Sequence, residues 1–234
     1  MTEAVYYDDC YARACEARVV AVESDGVILD RTVFYPMGGG QPGDTGTLTR
    51  ADGSTLQVTD TRKDGDRIRH CVSDDPTRFA VGDSVTAEID WERRFRHMRM
   101  HTCLHLLCSL IDAPVTGGSV AADKGRLDFD LPESTLDKVE LTRQLQALVS
   151  ANHPLDVQWI TDDELDQQPD LVRTMSVQPP RGSGKVRLIN IDSVDLQPCG
   201  GTHLASTAEV GAIYVRKIEK KGKQNRRVIL NFDE

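Results

Sequence analysis

Asp90-Trp-Glu-Arg-Arg-Phe-Arg-His97 is the stretch on which the reading of this chain turns. Asp90 stands where a helix N-cap is wanted, since its carboxylate can accept from backbone N–H groups that have no partner inside the helix. The run that follows predicts a helix over 90–111. Ahead of it the sequence reads as strands. Residues 16–24 are rich in β-branched side chains, Asp25-Gly26 is a hairpin turn, and 27–34 continues in the same texture. Further short strands are expected at 45–49, 56–59, 68–72 and 84–89, separated by Asp-Gly, Gly-Asp and Asp-Pro turns. Strands at this spacing suggest a small barrel or sandwich. Past the turning point helices enter. One is expected over 134–150 with Leu141, Leu145, Leu148 and Val149 as its apolar stripe. Thr161 and Glu164 fit a capping box that opens a short helix, which Pro169 ends. Strands are expected at 186–191, 212–218 and 227–232. The class is therefore α+β, with a first domain over 1–89 and a second over 90–234.

Composition narrows the function classes. At 234 residues the chain is long enough for one large or two small domains and for a core that needs no disulfide staples. Hydrophobic residues make up 39% and charged residues 28%, which argues against wholesale disorder. The net charge of −9 excludes coating of nucleic acid by bulk charge but leaves room for local basic patches. No apolar run approaches the ~20 residues that span a bilayer, and the first residues lack the basic-then-apolar pattern of an export signal. A cytoplasmic protein with no membrane partner is expected. Its six cysteines contain no C-x-x-C pair and should be reduced thiols. Cys103 and Cys108 lie in an apolar helical stretch and read as core; Cys199 does not.

His97, His101 and His105 are spaced four apart on the expected helix, so neighbouring pairs share one face and can meet one ion. Cys199-Gly-Gly-Thr-His203 offers a second pair, brought together by a loop that its glycines allow to turn tightly. Nitrogen and sulfur donors in this mixture suit Zn²⁺. Either pair alone would be at home on a polar surface; the two together make a metal site plausible on spacing. Spacing does not choose His97–His101 over His101–His105. A metalloprotease is set aside, because Met98 and Thr102 occupy the positions where that class carries its glutamate base.

Tyr35-Pro-Met-Gly-Gly-Gly-Gln-Pro-Gly-Asp-Thr-Gly46 is a loop whose bare backbone, at Gly38, Gly39 and Gly40, can approach a ligand closely. It is neither a P-loop, lacking Gly-Lys-Ser/Thr, nor a dinucleotide fingerprint, lacking a following helix. Gln41 is the one side chain of its centre that could hydrogen-bond a substrate.

These stretches carry a resemblance. His101-Thr-Cys-Leu-His105, Cys199-Gly-Gly-Thr-His203 and the glycine-rich loop 34–46, together with the basic ending 218–227, resemble the signatures of the AlaX family, free-standing relatives of the alanyl-tRNA synthetase editing domain. The resemblance implies an N-terminal β-barrel bearing the glycine-rich loop, followed by an α/β editing domain like those of threonyl- and alanyl-tRNA synthetases. It implies one zinc per chain on His101, His105, Cys199 and His203, with His97 as a neighbour. The implied activity is hydrolysis of the ester in mischarged Ser-tRNA(Ala), and of Gly-tRNA(Ala), with no ATP-dependent charging. Cys103 departs from the small alanine common in the family and leaves the ligand spacing unchanged.

Serine differs from the correct alanine by one hydroxyl, which a site built to hydrogen-bond it can discriminate strongly. Thr116 and Ser119, just past the histidine helix, are candidates for that role beside Gln41. For tRNA contact the candidates are Arg93, Arg94, Arg181, Lys217, Lys220, Lys221, Lys223, Arg226 and Arg227, whose phosphate contacts would be salt-sensitive and blind to sequence. Two rival readings are kept: a deacylase for Ser-tRNA(Thr), and a zinc-stabilised tRNA-binding module without catalysis.

Overall fold

Alternation of apolar and polar residues with period two builds the first part of the chain. A computed structural model describes residues 1–132, 136–175 and 184–233. The chain divides into two units, Met1–Phe95 and Arg96–Glu234. In the first, short β1 (Glu3–Ala4) and α1 (Val5–Asp8) precede β2 (Ala14–Glu23), β3 (Gly26–Leu29), β4 (Arg31–Thr32), β5 (Gly46–Arg50), β6 (Thr55–Asp64), β7 (Arg67–Val72) and β8 (Ser84–Ile89). Strands β2, β3, β7, β6, β5 and β8 close into a barrel in that order. Of the barrel and the sandwich, the chain adopts the barrel, which leaves no free sheet edge. Val19, Leu29, Leu48, Leu56, Val58, Val85, Ala87 and Ile89 fill it, with Phe34 and Phe79. The expected strand over 27–34 is interrupted at Asp30, whose carboxylate accepts from the Arg18 N–H at 2.7 Å.

Helix α2 (Trp91–Leu110) opens where the sequence placed it, with the Arg93 N–H bonded to Asp90 Oδ1 at 3.1 Å. After it come β9 (Val115–Val120), β10 (Lys124–Asp130), α3 (Lys138–Ser150), β11 (Leu155–Ile160), α4 (Asp162–Asp166), β12 (Val186–Ile191), β13 (Asp195–Pro198), β14 (Ile213–Lys221) and β15 (Asn225–Phe232). Two antiparallel sheets result, β14-β15-β10-β9 and β11-β12-β13. Helix α3 is capped by Asp137, which accepts from the Glu140 N–H, and buries Leu141, Leu145 and Val149. The expected start at Ser134 lies outside the described residues. The capping box of Thr161 and Glu164 is complete, and a single 3₁₀ turn at Pro169–Leu171 follows the short α4.

Strands β9, β10, β11 and β13 were not expected. Gly117 and Gly118 weaken the strand signal of β9, and β13 is only four residues long. Gly125 shows which face of the larger sheet lies against α2: a Cβ there would fall 2.6 Å from Met100 Sδ. Among the described residues, no helix is long and apolar enough to cross a membrane.

Candidate metal centre

Helix α2 presents His101 and His105 one turn apart, and β13 delivers the chain directly into Cys199. One ligand atom from each of His101, His105, Cys199 and His203 lies within 4.8 Å of the others, a group that could hold a metal ion. Cys199 Sγ is 3.5 Å from His101 Nε2 and 3.3 Å from His203 Nε2. The His203 ring packs against both helix histidines, with centroids 4.4 Å from His101 and 4.5 Å from His105. His97, one turn earlier, is fully buried and stands outside this group.

Burial and charge set the state of these groups. Burial by itself would push the Cys199 thiol up, yet electrostatic interaction and hydrogen bonding with the surrounding histidines, His101 foremost, bring it well below its ordinary value. The core thiols show what burial does without such neighbours, Cys103 and Cys108 each being pushed up to about 12. Of the three, Cys199 is therefore the thiolate available as a ligand. Burial and the adjacent His101 hold His203 well below the usual imidazole range. For His105 burial works downward, but hydrogen bonds with Asp195 and Cys199 raise it to about 9.

Three residues outside the sequence-based candidates hold this group in place. Asp195 Oδ2 lies 3.2 Å from His105 Nδ1 and accepts from Gln197 Nε2 at 2.6 Å. Thr102 Oγ1 lies 3.2 Å from His203 Nδ1 and accepts from the Leu204 N–H. Arg187 is buried and donates through Nη1 to the carbonyls of Cys199 (2.9 Å) and Gly201 (2.8 Å), clasping the ligand loop from within. Asp195 and Arg187 lie four and twelve residues ahead of Cys199, and no spacing rule singles them out.

The remaining candidates are placed as follows. Thr116 is the extra residue at a bulge in β9, since Gly117 pairs with Asp128 and Val115 with Phe129. Its hydroxyl donates to the Asp128 carbonyl at 3.1 Å. Ser119 pairs with Arg126, and strand alternation puts both on the sheet face away from Met100. The four donors are joined to Asp195, Thr102 and Arg187; Thr116 and Ser119 stand on the sheet. In the first unit, Gly38 and Gln41 exchange two backbone hydrogen bonds of 3.1 and 2.9 Å around Gly39 and Gly40, at φ 57° and 82°. Both turn residues need the left-handed region, which glycine enters without penalty. Gly39 and Gly40 form an exposed tip. The Gln41 side chain is buried below it instead of being displayed for a ligand.

Several cations expected on an RNA-facing surface are used inside the protein. Arg94 is completely buried: it pairs with Asp44 and donates to the carbonyls of Val33 and Cys10. A guanidinium so enclosed cannot reach a phosphate. Arg226 is buried as well, and donates to the Pro132 carbonyl. Arg227 makes two bonds of 2.7 Å to Asp128, and the hydrogen bond from Arg227 holds that carboxyl below its usual range. Arg93 is half-buried and reaches the Gly43 carbonyl at 3.4 Å. The β14–β15 hairpin does expose cations, Arg216, Lys217, Lys220, Lys221 and Lys223, and there Glu219 pairs with Lys217 and Lys221. Arg181 lies outside the described residues.

Comparison with known proteins bears on both units. Residues 4–93 match the family model of class II (A) tRNA synthetases, and 186–229 match that of the threonyl and alanyl tRNA synthetase second additional domain. The chain is similar to the alanyl-tRNA editing protein AlaX-M of Methanosarcina acetivorans, 38% identical over 97% of this chain and 98% of that protein. With the AlaX-M of Saccharolobus solfataricus the identity is 34% over the same shares. It is also 34% identical to part of the alanine–tRNA ligase of Sulfurisphaera tokodaii, covering 94% of this chain and 25% of the ligase.

Proposed function

The chain belongs to the AlaX family of alanyl-tRNA editing proteins, and on that premise we propose that it is a zinc-dependent trans-editing hydrolase that removes serine from Ser-tRNA(Ala). The observation that carries the reading is the convergence of His101, His105, Cys199 and His203 on one point. Tetrahedral bonds of about 2.3 Å to sulfur and 2.0–2.1 Å to nitrogen separate the two donors by about 3.5 Å. Cys199 Sγ lies 3.5 and 3.3 Å from His101 Nε2 and His203 Nε2, which supports zinc. Bound there, the ion would supply Lewis-acid polarisation or a fixed positive charge for the aminoacyl ester.

The chain's own residues do the rest. The second domain, 90–234, carries the chemistry, and the first, 1–89, carries the glycine-rich loop. The bare tip of Gly39 and Gly40 offers backbone for close approach by the nucleic acid. Lys217, Lys220, Lys221 and Lys223 bind phosphates along the β14–β15 hairpin. Lys221→Glu then weakens tRNA binding, and more at low salt than at high. An unchanged affinity, read by filter binding across a salt series, would move the RNA surface elsewhere. Thr116 reads the serine hydroxyl in this proposal, whereas Ser119, on the sheet face away from Met100, takes no part in it. The Thr116 hydroxyl keeps acceptor capacity after donating to the Asp128 carbonyl. The editing setting is cytoplasmic, consistent with six cysteines that are all free thiols.

The deciding experiment is deacylation of Ser-tRNA(Ala) beside Gly-tRNA(Ala), Ala-tRNA(Ala) and Ser-tRNA(Thr), with zinc quantified in the same preparation. The proposal expects selective loss of serine from the first, with about one zinc per chain, as a single four-ligand site requires. Hydrolysis of Ser-tRNA(Thr) in preference would transfer the activity to the threonine system. Fully metallated protein that binds tRNA and cleaves nothing would leave a tRNA-binding module.

A further inference from the structure

We infer that Asp195 is a positioning residue for the metal centre, fixing the ring of His105 and thereby the nitrogen that meets the ion. The inference rests on the zinc reading above and concerns a residue that the four-ligand motif does not include. A carboxylate only accepts hydrogen bonds, so the 3.2 Å contact from Asp195 Oδ2 assigns the proton of His105 to Nδ1. A metal ion would displace any proton on Nε2, whose lone pair would then face the ion beside Cys199 and the other donors. An imidazole without this partner is free to present either nitrogen and to rotate; one held from behind has a single ligand geometry.

The charge balance points the same way. The Asp195 side chain is wholly shielded from solvent. Its Oδ2 accepts from His105 Nδ1 and Gln197 Nε2, while Oδ1 is buried with no hydrogen-bond partner among the described residues. A buried carboxylate with a bare oxygen is costly unless a positive charge lies nearby. If the residue only packed β13 against its neighbours, a neutral amide or an apolar side chain would fill the place at lower cost. A divalent ion held by His105, His101, Cys199 and His203 would supply such a charge, and the carboxylate would in turn make the imidazole a stronger donor. Gln197, two residues on, holds Asp195 in the rotamer that faces His105.

The test uses the full chain with Asp195→Asn, which keeps the shape and removes the charge, and Gln197→Met, which removes the donor that orients Asp195. Zinc affinity is measured by competition with a chromogenic chelator, and Co²⁺-loaded protein is compared by its visible absorption. Asp195→Asn should weaken zinc binding about 10–100-fold, with altered ligand-field bands and an unchanged far-UV circular dichroism spectrum. Gln197→Met should weaken it less. Val149→Ala, which cuts into the core of α3, should lower the melting temperature and leave zinc affinity where it was, so that loss of stability alone does not imitate the effect. Asp195→Asn within twofold of the parent's zinc affinity overturns the inference. If Asp195→Asn fails to fold, Gln197→Met decides, an unchanged affinity again overturning it. A parent chain that takes up no zinc overturns the zinc reading and the inference with it, an outcome distinct from a zinc-binding parent whose variants do not differ.

Discussion

The two glycine-rich loops of this chain are pinned by the same device and do opposite things with it. In each, a buried arginine grips the loop from below. Arg94 pairs with Asp44 and also holds the Val33 and Cys10 carbonyls; Arg187 holds the carbonyls of Cys199 and Gly201. The first loop turns its polar side chains inward, Gln41 and Asp44 both being buried, and leaves bare glycine at its tip. The second projects Cys199 and His203 toward the histidines of α2. The histidines repeat the contrast. His70, in the barrel, is fully buried beside Thr32 Oγ1 at 2.8 Å and the Val27 carbonyl at 3.2 Å. It is satisfied by its neighbours, whereas His101, His105 and His203 are gathered where an ion can meet them. Glycine content therefore says that a loop is tightly turned; the direction of its polar atoms says whether it is an anchor or a site.

The largest effect expected is at the second loop's partners. His101→Ala should abolish zinc uptake and lower deacylation more than about 100-fold, since an ion worth several kcal/mol in the transition state is lost at tenfold per 1.4 kcal/mol. Metal analysis beside single-turnover kinetics checks this, and full metal content in the variant would remove His101 from the ligand set. Next comes the anchor. Asp44→Ala leaves the Arg94 guanidinium buried without its partner and should destabilise the barrel by about 3–5 kcal/mol. A denaturant midpoint within error of the parent would mean that Arg94 finds water on loss of Asp44, and the contrast between loops would weaken.

The histidine contrast is sharpened by pH. Burial depresses His70 to about 4 against an unfolded value of about 6.5, so the native state holds it neutral. Stability from this group is fully present above pH 6.5 and is lost as pH falls toward 4, by about 3 kcal/mol at most. His70→Gln should flatten that part of the stability–pH curve; an equally steep curve would place the acid sensitivity in other groups. The smallest effect is at the loop tip. Gly39→Ala introduces a side chain at φ 57° with nothing within 4 Å to clash, so only the backbone preference is felt, about 1–2 kcal/mol. A larger loss of stability in urea titration would show that the tip is packed in solution.

Much of this is legible in the sequence. The barrel strands announced themselves by alternation, as in Leu56 and Val58 or Val85, Ala87 and Ile89, because one buried face imposes period two. Asp90, Thr161 and Glu164 marked helix starts because capping is local chemistry. Strand β9 escaped because Gly117 and Gly118 lack the side chains that carry a strand signal, although pairing with β10 holds them extended. Arg94 read as a surface cation, since a charge in a basic helix turn gives no hint of a carboxylate fifty residues earlier in the chain.

What the sequence determined by itself was the inventory and its local order: which residues bear nitrogen, sulfur and charge, at what spacing, and on which elements. Its motifs were enough to indicate the family. Spacing left His97 and His105 open as partners of His101, the motifs favoured His105, and the structure brings His105 into the group. Only the tertiary structure decided that Arg94 and Arg226 are interior, and that Asp195 stands behind His105 across ninety residues of chain. The physical reason is range. Capping, turns and alternation act over a few residues and leave their mark in the order of the letters. Burial and the pairing of distant charges arise only when the chain closes on itself, and then they override what each residue would do alone.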